Sequence, residues 1–173
     1  MKKTLAGWVG GMVGLAALGS LLGAGDFSAR LAELEKVHGG RLGVCVLDTG
    51  SGESLGYREN ERFAMCSTFK LTLAAAVLAR VDAGRENLSR RVPFGEADLL
   101  EYAPVTRRRV AEGALTVAEL CAAMVEVSDN AAANLMLAGV GGPSGFTAWL
   151  RTLGDEATRL DRTEPDLNTN LPG

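Results

Sequence analysis

Apolar and polar positions recur along this chain with two different periods. In "DFSARLAELEKV", residues 26 to 37, Phe27, Leu31 and Leu34 fall at helical spacing, and Gly39-Gly40 predicts the stop. "RLGVCVLDT", residues 41 to 49, predicts a strand that is apolar on both faces and so is expected to be central or covered on each side. A tight turn over 49 to 52 and a partly exposed second strand in "ESLGYREN" complete an expected hairpin. From 67 to about 83 the pattern is apolar nearly all round until Arg80 and Asp82, as in a helix inside a protein. "LTVAELCAAMVEVS" predicts a further helix, with Val117, Leu120, Cys121 and Met124 on one stripe and Thr116 as N-cap. Another is expected from about Ala131 to Leu137, ended by Gly141-Gly142, and a last one from Pro143, which suits a first helical turn. After Leu160 the periodicity is lost, and residues 161 to 173 are expected to be loop. A lone two-stranded hairpin is marginal, so this order of elements calls for more strands beside it.

Composition narrows the function classes. The 173 residues fit one domain, and 47% hydrophobic against 23% charged content is globular. With a net charge of -3 and basic residues interspersed among acidic ones, there is no concentrated basic face for nucleic acid, and a small-molecule substrate is the better expectation. Lys2 and Lys3 precede an uncharged stretch from Leu5 to Gly25, the order of a secretory signal. Residues 1–25 are therefore expected to be a signal peptide, cleaved near the small residues Gly23, Ala24 and Gly25. An uncleaved anchor is the competing reading, and export follows from either. Cys45, Cys66 and Cys121 are an odd set for an exported protein and match no zinc spacing. Cys45 and Cys121 sit in apolar patterns and are expected to be buried small hydrophobes. The only histidine, His38, is expected to be solvated near a helix C-terminus, so a catalytic triad built on another imidazole is excluded. No metal or cofactor signature is present.

One ammonium interrupts "CSTFKLTLAAAVLA". Residues three apart share a helix face, so Ser67 and Lys70 are expected to be neighbours at the start of the buried helix. Burial disfavours a charged ammonium, which is how a lysine becomes a usable base, and a hydroxyl beside such a base can be activated as a nucleophile. Alone, Ser-x-x-Lys reads as well as an ordinary cap with a snorkelling lysine. "VSDNAAAN" alone is a helix boundary, and "RLDRTEPDLN" alone is a polar turn around Pro165.

Together and in this order the three segments resemble a class A serine β-lactamase, and the likeness runs from the helix after residue 26 to the last loop. The resemblance implies an α/β (α+β) fold of the serine β-lactamase and penicillin-binding transpeptidase type. It is expected to be incomplete, with an N-terminal strand pair and an all-helical subdomain in residues 26–173 and the C-terminal strands missing. It also implies roles. Ser67 attacks the β-lactam carbonyl and carries the acyl group; Lys70 takes or relays its proton, with Glu164 acting through a water as the rival acylation base. Ser128 passes a proton to the departing ring nitrogen, and Asn130 helps hold the substrate and Lys70. Glu164, aided by Asn168, activates the water that hydrolyses the acyl-enzyme. Tyr102 matches the family's aromatic at the pocket edge, although a partly buried core tyrosine reads nearly as well. Cys66 is similar to the cysteine that, in some members, pairs with one later in the chain, a pairing associated with carbapenem hydrolysis. No cofactor is implied, the partner is a small β-lactam, and a periplasmic or secreted monomer is expected, without stable membrane insertion after cleavage.

The sequence also departs from the family's pattern. No Lys-Thr-Gly occurs. The Ser67 N–H is then expected to be half of an oxyanion hole, and losing one donor costs about 10²- to 10³-fold in rate. Arg162 is expected to lack a later acidic partner, leaving Glu164 poorly held, and the hairpin is expected to expose an edge. This polypeptide alone is therefore expected to be weak or inactive. The rival readings are a penicillin-binding transpeptidase or carboxypeptidase, against which "EPDLN" argues, and a non-catalytic remnant or one half of a split enzyme.

Overall fold

The computed structural model describes residues 24–169, which divide into two compact units between Phe63 and Ala64. The secretory-signal expectation for residues 1–25 falls almost wholly outside the described residues. Among the described residues no helix is long and apolar enough to cross a membrane.

The first unit holds helix α1 (Ala24–His38) and the antiparallel strands β1 (Val44–Leu47) and β2 (Ser54–Tyr57), in register Val44↔Tyr57 to Leu47↔Ser54. Asp26 in the first turn of α1 and Lys36 and His38 in the last complement the helix dipole. Gly39, at φ 72°, ends the helix with its N–H on the Glu35 carbonyl, a left-handed position that glycine takes without strain. The hairpin turn is built on Asp48, whose side chain accepts from the Gly50 N–H at 2.8 Å. Glu35 ties the helix to the hairpin, accepting from the Leu42 N–H at 2.5 Å, the Tyr57 hydroxyl at 2.7 Å and the Arg58 guanidinium at 3.0 Å. These donors, the Leu42 N–H foremost, hold its carboxyl well below the ordinary 4.5, at about 2.

Two expectations fail here. β1 is not covered on both faces within its unit: Leu47 is 59% exposed, and β2 is the only strand paired with it among the described residues. Cys45 is exposed, not a buried hydrophobe. Period-2 reading identified the strand, but an apolar face does not supply its own cover.

The second unit is organised on helix α2 (Phe69–Asp82), against which pack α3 (Val117–Glu126), α4 (Asn130–Gly139) and α5 (Gly142–Thr152). Phe69, Leu73, Ala76 and Val77 of α2 are buried, and Phe69 meets Phe146 of α5 edge-on, centroids 6.3 Å apart. The helix is not buried all round, however: Leu71 is 68% exposed and Leu78 also lies open. Nor is this unit all-helical. Strands β3 (Arg91–Pro93) and β4 (Ala114–Thr116) pair antiparallel, Val92 opposite Leu115, and place both of those side chains in the core. β4 runs straight into α3, so Thr116 is both last strand residue and N-cap. Its hydroxyl accepts from the Glu119 N–H at 3.2 Å while the Glu119 carboxylate accepts from the Thr116 N–H at 2.8 Å, a reciprocal capping box.

Candidate active site

A short 3-10 turn, Cys66–Thr68, leads into α2 and carries Ser67 on its exposed side. Cys66 has φ 44°, an unusual value for a residue with a side chain, and its thiol is free and exposed. One turn on, Lys70 is 2% exposed. Its Nζ donates to Ser67 Oγ at 3.1 Å, to Ser128 Oγ at 3.0 Å, to the Ser128 carbonyl at 2.9 Å and to Asn130 Oδ1 at 2.5 Å. Glu164 Oε1 is a further 3.0 Å neighbour, with both side chains of this ion pair nearly inaccessible to water. The amine therefore touches every hydroxyl and carboxylate that the sequence singled out as catalytic.

Ser128 and Asn130 reach it because of the residue between them. Asp129 is fully buried and accepts from the Val105 and Thr106 N–H groups, both at 2.9 Å, from the Thr106 hydroxyl at 3.0 Å and from the Ala132 N–H at 2.9 Å. One carboxyl thus caps α4 and clamps the 105–106 segment, leaving Ser128, at φ 60°, and Asn130 turned toward Lys70. The Asn130 N–H donates to the Tyr102 carbonyl at 3.1 Å. The Tyr102 side chain is 56% exposed, which rules out the core-tyrosine reading.

Glu164 is better held than the sequence led us to expect. Asn134, on α4, donates its Nδ2 to the Glu164 carbonyl and accepts the Glu164 N–H on its Oδ1, both at 3.0 Å. Asn168 Nδ2 donates to Glu164 Oε2 at 2.7 Å. Arg162, which was expected to leave the loop loose, donates to Thr169 Oγ1 at 2.6 Å. The other carboxylate oxygen, Oε1, is buried beside the Lys70 charge but has no aligned hydrogen-bond donor, so its acceptor capacity is free.

The sequence reading missed Asn134 and the buried Asp129–Thr106 clamp. The first had a signal: in "NAAAN" Asn130 and Asn134 are four apart, on one face of α4. The second joins residues 23 apart and had none. Among the described residues no group of three or more His, Cys, Asp or Glu side chains could hold a metal ion.

This arrangement has close relatives. A family model described as the beta-lactamase enzyme family matches residues 26–171. The structure is similar to that of the class A β-lactamase of the last common ancestor of Gram-negative bacteria, at 62% identity and a TM-score of 0.81, over 84% of this chain and 55% of that one. It is also similar to a β-lactamase from Burkholderia vietnamiensis, at 52% identity and a TM-score of 0.81, over 83% of this chain and 54% of that one. The chain thus spans little more than half the length of these relatives. With a match covering most of its residues and these neighbours at such identity, the chain belongs to the beta-lactamase enzyme family, and within it to the class A serine enzymes.

Proposed function

We propose that this protein hydrolyses the amide bond of β-lactams through an acyl-enzyme on Ser67. The observation that carries this reading is the single buried amine of Lys70 in contact with Ser67 Oγ, Ser128 Oγ, Asn130 Oδ1 and Glu164 Oε1. Ser67 Oγ attacks the carbonyl carbon, and its proton goes to Lys70, whose own excess proton has Glu164 Oε1 to go to. As the ring C–N bond breaks, the nitrogen takes the Ser128 hydroxyl proton, which Lys70 replaces. Glu164 Oε1 then returns its proton to Lys70; in the second half it accepts a proton from water, Asn168 steadying the other oxygen, and the water's oxygen displaces Ser67, whose Oγ takes a proton from Lys70 that Glu164 replaces. Asn130 holds substrate as well as Lys70, and the role of an aromatic at the pocket edge falls to Tyr102, whose side chain is exposed and whose carbonyl accepts from the Asn130 N–H. The charge and apolar order of residues 2–25 supports export to the periplasm or the medium.

The test is mass spectrometry of the chain after exposure to benzylpenicillin. The expected result is a covalent adduct on Ser67 that is lost in Ser67→Ala, is released with time in the parent and persists in Glu164→Gln. Absence of any adduct overturns the proposal. An adduct that persists equally in the parent and in Glu164→Gln would instead indicate a penicillin-binding transpeptidase, which acylates but releases slowly.

A further inference from the structure

Around the end of α2 the chain reads "ARVDAGRENLSRR", residues 79 to 91, with Arg80 still on the helix, Arg85 just after it and Arg90 leading into β3. With Gly139 at the end of α4, these three arginines line an open groove of about 610 Å³. It shares no residue with the Lys70 cluster. Arg80 lies ten residues farther along α2 than Lys70, about 15 Å at the rise of an α-helix.

Basic side chains near a helix C-terminus commonly serve its free carbonyls. Here backbone N–H groups do so instead: Ala83 donates to the Ala79 carbonyl at 3.2 Å, Gly84 to Val81 at 2.9 Å and Arg85 to Arg80 at 2.8 Å. The acceptors of the groove are occupied as well. Glu86 Oε1 accepts from Arg90 Nε at 2.7 Å and from the Asn87 N–H at 2.8 Å, and Oε2 accepts from Arg90 Nη2 at 2.7 Å. Arg90 foremost, then the Asn87 N–H and the Arg80 charge, hold the Glu86 carboxyl down at about 2, so it is ionised at neutral pH. Asn87 Oδ1 accepts from the Ser89 N–H at 2.8 Å and the Ser89 hydroxyl at 2.7 Å, which leaves its Nδ2, a donor, for another partner.

What remains is donors. Among the described residues neither the Arg80 nor the Arg85 guanidinium forms an ion pair. Arg80 Nε is shut off from solvent without an acceptor, so the bonding of that side chain to anything in the groove falls to its Nη groups. Three guanidiniums beside one carboxylate leave an excess of two positive charges, which a phosphate group, at about −1.5 to −2 near pH 7, would balance. The planar guanidinium fork also matches phosphate oxygens in shape. We propose that this groove binds a phosphate group, held by Arg80 and Arg85 with Asn87 Nδ2 as a further donor, while Arg90 stays on Glu86.

Inorganic phosphate titrated into the full chain at constant ionic strength tests this, read from the backbone amide signals of residues 84 to 87 by proton–nitrogen NMR. The expected result is half-saturation at about 1 mM, the affinity that two or three charge-assisted hydrogen bonds give a small ion. Arg80→Gln and Arg85→Gln should each weaken binding about 10-fold, the loss of one such bond. Gly139→Glu should abolish it from the α4 side: a Cβ there meets nothing nearer than Arg90 Nη2 at 3.9 Å, so the side chain fits and sets a carboxylate against the anion. Arg108→Gln, outside the groove, should leave binding unchanged. Phosphatidylglycerol vesicles then separate the sources: sedimentation of the parent with them that Arg85→Gln loses marks a lipid headgroup, and any other result marks a soluble phosphate. Shifts in the parent that fail to saturate by about 30 mM overturn the proposal. So does parent-like saturation in either arginine variant or in Gly139→Glu, once shown folded by circular dichroism. If Arg80→Gln does not fold, Arg85→Gln, a change at an exposed residue, decides.

Discussion

Lys70 Nζ carries at most three hydrogens, yet four oxygens accept from it within 3.1 Å and a fifth, Glu164 Oε1, lies at 3.0 Å. Three of the five, the Ser128 carbonyl, Asn130 Oδ1 and the ionised Glu164 carboxylate, can only accept. The two serine hydroxyls can turn and donate. A neutral amine gives its two hydrogens to the Ser128 carbonyl and Asn130 Oδ1 and faces Ser67 with its lone pair; in an ammonium the third hydrogen fills that same direction, and the nearby Glu164 carboxylate balances the charge. Both protonation states fit the same heavy-atom positions, so the proton can move without the site rearranging. The arrangement has a cost in stability. Removing one member of a buried ion pair leaves an uncompensated charge, typically worth about 3–5 kcal/mol. Lys70→Met is expected to destabilise by about that much in urea denaturation, and Lys70→Met combined with Glu164→Gln to recover a large part of it. Simple additivity of the two would show that the pair is not coupled.

At the scale of elements, the helices stand where period and capping signals put them because those signals are local. Thr116 is the clearest case: the Thr-x-x-Glu pattern was legible, and the structure shows both of its reciprocal bonds. Thr116→Ala is expected to cost about 1 kcal/mol, seen as a lower urea midpoint with an unchanged slope. What was not legible was tertiary. β3 and β4 are three residues long, too short for alternation to register, and they form because Val92 and Leu115 find a core that other elements build. The all-apolar pattern of α2 predicted a helix enclosed on every side, but nothing in a periodicity says how many neighbours will come, and Leu71 and Leu78 stay open. The residues proposed as catalytic were readable from three short segments. Their mutual distances depended on Asp129 and Asn134, whose partners lie 23 to 30 positions away.

Across the whole molecule, the functional cluster falls within the second unit, and the first depends on Glu35 instead. Folding lowers the Glu35 carboxyl from 4.5 to about 2, so it binds fewer protons folded than unfolded. Its contribution is then fully present above about pH 4.5 and lost as pH falls through about 2. Amide hydrogen exchange is expected to report loss of protection in α1, β1 and β2 across that window, and Glu35→Gln to abolish the pH dependence there. Unchanged protection in the parent at pH 2.5 would contradict the assignment.

The exposure of Ser67 above a sunken Lys70 carries one more consequence. On the proposed reading an incoming molecule meets the attacking oxygen at the surface, while the amine that exchanges its proton stays beneath, shielded from solvent. On that reading, discrimination among incoming molecules would fall to side chains around Ser67 that can change while the buried Lys70–Glu164 pair stays as it is.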